Sequence, residues 1–287
     1  MSAIQENVVF RAEQSGLTVA LLEPTIGAEI GGLDLRKPLA PELRDELRAL
    51  LLKYKVIFFR DQDINREQQV AFARNFGETL VHPSTRIPDA NVPQAHIISI
   101  EDARKTYDVR FGVFHSDYSW HLTGSLGAVL RAVTIPEVGG DTIWADAGAV
   151  YRGLSPELRD KIDDLYVIHD FQGSLKKVGY RYPTLSHPLV RTHPETGEEV
   201  LFINFSQKPW VVGWDRAESQ ALVDELHREF YRPEYQVRFK WRQHSVAFWD
   251  NRATLHYPVH DYGDFPRVME RVLIASDDIP HRVRRVG

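Results

Sequence analysis

The chain has 287 residues and a net charge of −5, from 35 Lys and Arg against 40 Asp and Glu. Its 43% hydrophobic and 26% charged residues are ordinary for a globular protein and exclude a disordered or fibrous chain. The charge provides no basic field for a nucleic acid backbone. No apolar run reaches the roughly 18 residues that span a bilayer, and the N-terminus does not resemble a signal peptide. We therefore expect a cytoplasmic protein that binds neither nucleic acid nor membrane.

The first 80 residues mix helix and strand patterns. We predict a strand at residues 17–22, a glycine-rich turn segment at 24–35, a helix at 41–54, a buried strand at 56–59 and a helix at 65–76. Leucines three and four residues apart form one stripe of the first helix, and an asparagine caps the second.

Beyond residue 96, strand patterns dominate. We predict strands at residues 97–100, 112–120, 128–135, 142–146, 201–204, 236–240, 245–250 and 268–275, with helices at 156–166 and 216–230. Many short strands between Gly and Pro turns favour a β-sandwich or jelly roll. No repeat or linker divides the chain. We therefore predict a single domain over residues 1–287, in which residues 78–112 form a mobile active-site loop.

The absence of cysteine restricts any metal site to nitrogen and oxygen ligands. His115 and Asp117 stand two residues apart in a predicted strand, where alternate side chains share one face, so both can reach one ion. With a second histidine they would occupy one face of an octahedral metal and leave three positions open. A His-x-Asp pair alone decides nothing, because most such pairs bind no metal.

Candidates for the remaining ligand come from twelve histidines. His256 follows the predicted strand 245–250 across the segment WDNRATLH, and we expect it just beyond a sheet edge. Further along, even spacing places Arg267, Met269 and Arg271 on one face of a strand. Burying an unpaired guanidinium is costly, so two inward arginines imply two anionic groups, or one anion and an internal Asp or Glu.

These motifs also carry a family resemblance. HSDYSW, GGDT, HPLVRTHPETG, WDNRATLH and RVMER, preceded by GAEIGGLDL, VIFFRDQ and AFARNFG, resemble the taurine dioxygenase (TauD/TfdA) family in content and order. The resemblance covers essentially the whole chain. It implies a mainly β fold with flanking helices, the double-stranded β-helix or cupin-like jelly roll. It also implies an Fe(II)- and 2-oxoglutarate-dependent dioxygenase that consumes O₂, oxidises a small organic anion and forms succinate and CO₂.

The resemblance further implies roles for individual residues. His115, Asp117 and His256 would be the catalytic iron ligands, and Thr142 with Arg267 would bind the distal carboxylate of 2-oxoglutarate. The chemistry agrees, since a planar guanidinium makes two parallel hydrogen bonds to a carboxylate and a hydroxyl can add a third.

On the substrate side, Arg271 and His82 match the family positions that meet the substrate's anionic group. Phe111 stands where a polar residue would contact the amine of taurine, and Trp120 replaces the usual phenylalanine. A buried ammonium without a polar partner is unfavourable. We therefore expect taurine to be a poor substrate and an anion with an apolar body to be a better one.

Several alternatives stay open at this point. Within the oxygenases, the chain could be a sulfonate dioxygenase or alkylsulfatase, or a carboxylate-directed catabolic or biosynthetic tailoring oxygenase. Outside them, a Zn(II) hydrolase could use the same ligands, although it would not need Thr142 and Arg267. A jelly-roll binding protein without catalysis is a third class. Family analogy also suggests a homo-oligomer.

Overall fold

The structure is a computed structural model that describes residues 9–11, 16–83, 89–99 and 112–283. Within those ranges the chain forms two facing β-sheets, smaller strand pairs and six helices. None of these helices has the length and apolar character needed to cross a membrane.

The larger sheet contains nine of the described strands. In chain order these are β1 (Val9–Arg11), β2 (Thr18–Leu21), β3 (Ala28–Gly31), β4 (Val56–Phe59), β5 (Thr79–Leu80), β6 (His96–Ser99), β7 (Ser125–Thr134), β15 (Val246–Asp250) and β17 (Val268–Ala275). Their spatial order is β1-β2-β3-β4-β15-β7-β17, and β5 and β6 share the other edge of β17. The pairs are antiparallel except for β3 with β4.

The smaller sheet supplies the opposite wall. It consists of β8 (Thr142–Asp146) between β14 (Gln236–Phe239) and β16 (Thr254–Pro258). The remaining strands form two short groups outside these sheets: β9 (Tyr166–Ile168) between β10 (Ser186–Pro188) and β13 (Trp210–Val211), and the pair β11 (Val190–Thr192) and β12 (Glu199–Leu201).

Helices flank the sheets. They are α1 (Pro41–Tyr54), α2 (Arg66–Arg74), α3 (Ala147–Gly153), α4 (Pro156–Ile162), α5 (Gln172–Lys177) and α6 (Arg216–Glu229). The predicted cap of α2 is present. The side chain of Asn65 accepts from the backbone N–H of Gln68, and the side chain of Gln68 accepts from the backbone N–H of Asn65. Asp215 caps α6 through the first backbone N–H groups of that helix.

Successive side chains of β17 point to opposite faces and pack into two different layers of the core. Met269 and Leu273 join a cluster from both sheets that includes Trp144 and Trp249, whereas Val272 packs on the other face against residues of α1 and α2. Odd-numbered positions of β17 therefore point between the sheets. Apolar burial on both faces holds this strand in a single register.

The predicted jelly roll is confirmed by the two facing sheets, and the predicted bounds of α1, β4, β8 and β17 are correct. Several predicted elements are wrong, and the strand predicted at residues 201–204 shares only Leu201 with β12. The supposed turn segment 24–35 contains β3. The helix predicted to residue 166 ends at Ile162, because Tyr166 belongs to β9 and pairs with Pro188 of β10. The single domain and its mobile loop stay predictions: β5 and β6 fall within 78–112, but residues 84–88 and 100–111 lie outside the described residues.

Candidate active site

The His-x-Asp motif lies on a turn. His115 pairs with the neighbouring β16 by exchanging two backbone hydrogen bonds with His256, of 3.0 and 2.8 Å. Beyond it the chain turns at residues 117–120, and Tyr118 adopts a left-handed φ of 60°. The predicted strand over 112–120 is therefore wrong. The backbone of Ser116 and Asp117 forms hydrogen bonds with side chains from distant segments of the chain.

His256 lies within β16, not beyond a sheet edge as expected, and pairs with Trp144 of β8. The intervening turn is tight. Asp250 accepts the backbone N–H of Ala253 and the hydroxyl of Thr254 on its carbonyl oxygen, and its carboxylate accepts the N–H of Arg252. With these bonds in place, β16 begins four residues after β15 ends. His256 therefore lies opposite His115.

His115, Asp117 and His256 converge so that one potential ligand atom from each lies within 4.8 Å of the others. Nε2 of His256 is 3.9 Å from Oδ1 of Asp117. Oδ2 of Asp117 is buried without a hydrogen-bond partner among the described residues. Nδ1 of His115 donates to the carbonyl of Val113 at 2.9 Å, which leaves Nε2 with its lone pair. Two imidazoles and a carboxylate fit a divalent first-row metal.

Burial sets the protonation of the two imidazoles. Desolvation lowers the pKa of His115, and it lowers the pKa of His256 well below its ordinary value, with the neighbouring His115 adding to the effect. Both rings are therefore neutral near pH 7, as metal ligation requires.

Arg271 reaches this cluster from β17. Its Nη1 donates to Oδ1 of Asp117 at 2.5 Å, and its side chain is 13% exposed. The inward arginine therefore has an internal acid as its partner, one of the two arrangements that strand spacing allowed.

Arg267 reaches the GGDT segment, which contains Thr142. Nε of Arg267 donates to the carbonyl of Gly140 at 2.9 Å, and no carboxylate of the described residues forms a hydrogen bond or ion pair with its guanidinium. Burial lowers the pKa of Arg267. Oγ1 of Thr142 accepts from Nε1 of Trp241 at 3.0 Å, so its own hydrogen can be donated elsewhere.

The GGDT sequence has a steric reason here. Gly140 has a φ of +73°, and a side chain at that position would lie 3.0 Å from Cδ of Arg267. Glycine therefore permits both the left-handed turn and the close approach of the arginine.

His82 lies on the Arg271 side of the cluster. Its backbone N–H donates to Nε2 of His96 at 3.0 Å, and its ring centroid is 5.5 Å from that of Tyr118. Burial, with a further contribution from Arg271, lowers the pKa of His82 to about 3. The ring is therefore neutral near pH 7 and can offer a hydrogen bond but no charge.

Trp120 belongs to an aromatic cluster beside the turn. Its ring stacks on Phe171 at 5.5 Å and lies 4.6 Å from Tyr118 and 5.2 Å from Tyr182. Sequence reasoning missed Phe171 and Tyr182, and only the path of the chain after β9 brings them here. Phe111, the other predicted apolar contact, lies outside the described residues.

Residues 18–273 match the sequence profile of the family described as "Taurine catabolism dioxygenase TauD, TfdA family". The chain belongs to the TauD/TfdA family. A relative from Pseudomonas putida, the alpha-ketoglutarate-dependent sulfate ester dioxygenase, is 34% identical over 270 residues, which cover 88% of this chain and 87% of the relative.

Two solved structures agree with this membership. A taurine dioxygenase from Burkholderia xenovorans has 38% identity and a TM-score of 0.80, over 92% of this chain and 90% of its own. AAD-2 in complex with Mn(II) and N-oxalylglycine has 29% identity and a TM-score of 0.77, over 92% and 99%.

Membership in TauD/TfdA fixes the chemical class. The protein is a 2-oxoglutarate-dependent dioxygenase, and its cofactors are Fe(II), 2-oxoglutarate and O₂. This result decides against the Zn(II) hydrolase and the non-catalytic binding protein.

Proposed function

We propose that His115, Asp117 and His256 hold the Fe(II) of this dioxygenase and that its substrate is an organic anion with an apolar body, with a sulfate ester as the first candidate. The observation that carries the metal assignment is the convergence of the three ligand atoms around a buried carboxylate oxygen that has no partner among the described residues. A buried, unpaired carboxylate oxygen is costly unless a cation completes it.

Arg267 and Thr142 would hold the distal carboxylate of 2-oxoglutarate. The support is a buried guanidinium that no carboxylate of the described residues meets in a hydrogen bond or ion pair, beside a hydroxyl whose hydrogen can still be donated. This pair fixes one end of the co-substrate, so that its 2-oxo acid end faces the metal residues.

Arg271 and His82 would bind the anionic group of the substrate. Arg271 supplies the charge and neutral His82 a hydrogen bond, while Tyr118, Trp120 and Phe171 receive the apolar body. The sulfate ester dioxygenase of P. putida supports this class of anion. The protein's task is then to hold one C–H of the substrate towards the metal and to exclude water.

With a sulfate ester as substrate, bound Fe(II), 2-oxoglutarate and O₂ would supply one oxygen atom to the C–H bond next to the ester oxygen, and 2-oxoglutarate would leave as succinate and CO₂. The hydroxylated carbon then loses its bond to the ester oxygen, which gives an aldehyde, sulfate and a proton.

A sulfonate is the second candidate, because the solved taurine dioxygenase is 38% identical. Taurine itself carries an ammonium group, and the described side chains around Trp120 are mainly aromatic. An ammonium placed there would lose its hydration without a carboxylate to pair with. We therefore favour sulfonates with an apolar chain over taurine.

The test of the substrate is a panel of matched anions. Hexyl sulfate, hexanesulfonate, hexanoate and taurine would each be incubated with Fe(II), 2-oxoglutarate and air, with succinate as the common readout and sulfate and aldehyde as specific ones. We expect hexyl sulfate to give stoichiometric succinate, sulfate and hexanal. Taurine or hexanoate as the best substrate would refute the proposal.

The test of the metal site is an anaerobic Fe(II) titration of His115→Ala, Asp117→Ala and His256→Ala. Each variant should lose Fe(II) binding and turnover while keeping its fold, and half-exposed His244→Ala serves as the control. Wild-type iron affinity in the three variants would refute the assignment.

We further propose that the protein is cytoplasmic, forms one domain and a homo-oligomer, binds no nucleic acid or membrane, and uses residues 78–112 as a mobile active-site loop. Light scattering after gel filtration tests the oligomer. Limited proteolysis with and without 2-oxoglutarate and substrate tests the loop, since binding should protect cleavage sites within 78–112.

A further inference from the structure

The peptide group between Ser116 and Asp117 is hydrogen-bonded at both ends by buried asparagine side chains. Its carbonyl oxygen accepts from Nδ2 of Asn204 at 2.7 Å, and its N–H donates to Oδ1 of Asn251 at 3.3 Å. The two asparagines come from segments 88 and 134 residues away along the chain.

Asn204 lies three residues after the end of β12 and is fully buried. The same Nδ2 also donates to Oγ of Ser119 at 2.7 Å, so one amide group bonds both sides of the turn. Oδ1 of Asn204 accepts from the backbone N–H and the hydroxyl of Ser206. This side chain is held in one orientation, with its donor towards the turn.

Asn251, at the turn between β15 and β16, is also buried. Its Oδ1 accepts from Nε1 of Trp249 at 2.8 Å in addition to Asp117, and its Nδ2 donates to Oγ of Ser125 at 3.0 Å. The hydroxyl of Ser116 donates to the main-chain oxygen of Asn251 at 2.9 Å.

These bonds replace a strand partner. After His115 the backbone pairs with no strand in the described part of the chain, and Tyr118 is left-handed. The orientation of the 116–117 peptide fixes the direction of the Cα–Cβ bond of Asp117 and hence the position of its carboxylate. Groups that orient a metal ligand contribute to metal affinity, typically 10–100-fold each.

We propose that Asn204 and Asn251 are positioning residues that set the Asp117 carboxylate for Fe(II). The inference rests on the proposed function of Asp117 as a ligand. Asn204 acts as a donor and Asn251 as an acceptor, so replacement by aspartate separates their roles. Asn204→Asp removes the donor to the turn, whereas Asn251→Asp keeps the acceptor for the N–H of Asp117 and for Trp249 and loses only the bond to Ser125.

The experiment is an anaerobic titration with Fe(II) alone, followed by 2-oxoglutarate to develop the charge-transfer absorption band. It compares Asn204→Asp, Asn251→Asp and Asn251→Leu with wild type and Asp117→Ala. Asn65→Ala is the control, because it removes an asparagine bond to the backbone at the remote cap of α2. Thermal unfolding confirms that each variant is folded at the titration temperature.

We expect Asn204→Asp and Asn251→Leu to bind Fe(II) about tenfold or more weakly and to shift the band. Asn251→Asp should stay close to wild type, and Asn65→Ala should lose stability only. If Asn204→Asp does not fold, the Leu and Asp replacements of Asn251 decide the question.

Wild-type Fe(II) affinity in Asn204→Asp or Asn251→Leu, with affinity lost in Asp117→Ala, would overturn this inference alone. The same holds if Asn65→Ala loses iron affinity as strongly as Asn204→Asp. Undiminished binding in Asp117→Ala would overturn the metal assignment as well.

Discussion

Arg271 donates a hydrogen bond to Asp117, at 2.5 Å, across 154 residues of sequence. The contact connects the inner face of β17 with the turn that carries the carboxylate. One arginine therefore lies next to both the metal residues and the region that would receive the substrate's anionic group. A cation in this position attracts an organic anion and at the same time repels a metal ion.

Replacing Arg271 by leucine tests its effects on both substrate binding and metal binding. The KM for the anionic substrate should rise more than about tenfold, because a charge-assisted contact worth ~2–5 kcal/mol is lost. Fe(II) affinity should stay equal or become higher, since a positive charge beside Asp117 has been removed. Steady-state kinetics and an anaerobic Fe(II) titration measure the two effects.

Arg232, exposed after the end of α6, provides the matched control as Arg232→Leu. A weakened Fe(II) site in Arg271→Leu with an unchanged KM would show that Arg271 supports the turn and does not anchor substrate.

Arg267 and Thr142 should differ in their effect on the co-substrate. Arg267→Ala should weaken 2-oxoglutarate binding more than tenfold, since losing a buried charge-assisted pair costs about 2–5 kcal/mol. Thr142→Val should cost less, about 1.5–3 kcal/mol, because it removes a single hydrogen bond to the carboxylate. The charge-transfer band of the Fe(II)–2-oxoglutarate complex gives both dissociation constants by titration.

Neither variant should change Fe(II) affinity without 2-oxoglutarate, because no hydrogen bond or ion pair between described residues links Arg267 or Thr142 to the three metal residues. An unchanged 2-oxoglutarate titration in Arg267→Ala would show that other residues bind the distal carboxylate.

Local patterns in the sequence were sufficient for much of the fold. The alternation along β17 correctly places Met269 in the core between the sheets and Arg271 on the same face, where it reaches Asp117, whereas Arg267 precedes the strand. The leucine stripe of α1 gives its bounds correctly, and the motif order leads to the family.

The turn after His115 could not be found in this way. Residues 112–120 alternate as a strand does, but their backbone is bonded by Asn204 and Asn251, which no local pattern connects to them. The partner of Arg271 was equally hidden, since spacing indicates that an inward arginine needs an anion but not which one. The metal, co-substrate and substrate roles stay predictions, including that of Phe111.

Two buried histidines behind the turn should make the fold sensitive to acid. Desolvation, with mutual repulsion between the rings, lowers the pKa of His169 to about 3, and desolvation with nearby Arg191 lowers that of His187 to about 4. In the unfolded chain both titrate near 6.5. The unfolded state therefore binds protons first as the pH falls. Stability present above pH 6.5 is lost as the pH drops towards 3–4, by ~1.4 kcal/mol per pH unit for each histidine.

Urea unfolding of His169→Gln with EDTA present, between pH 7 and 4.5, measures this linkage. Below pH 6 its unfolding free energy should fall less steeply with pH than that of wild type. The difference in slope should be about 1.4 kcal/mol per pH unit, which corresponds to one proton. Phe202→Leu, which touches both imidazoles but does not titrate, should lower stability with an unchanged slope. Parallel slopes for wild type and His169→Gln would contradict a neutral, buried His169.

Phe171 should contribute to substrate choice through its stacking on Trp120, with an interplanar angle of 11°. If the apolar body of the substrate packs on this pair, Phe171→Ala removes part of its contact surface. At roughly 0.8 kcal/mol per buried CH₂ group, the loss of contact with two or three such groups lowers kcat/KM for hexyl sulfate about tenfold or more. The kcat/KM for ethyl sulfate, which lacks the CH₂ groups assigned to this contact, should change little.

The ratio of the two values is the measurement, because a general loss of active enzyme changes both equally. Phe205→Ala is the matched control: Phe205 packs on His227 and Phe230 in a separate cluster, so its loss should lower stability without altering the ratio. The titration curve for 2-oxoglutarate should be the same in all three proteins. An unchanged ratio in Phe171→Ala would exclude this aromatic cluster as the wall that contacts the substrate, while leaving the assignments of Arg271 and the metal residues intact.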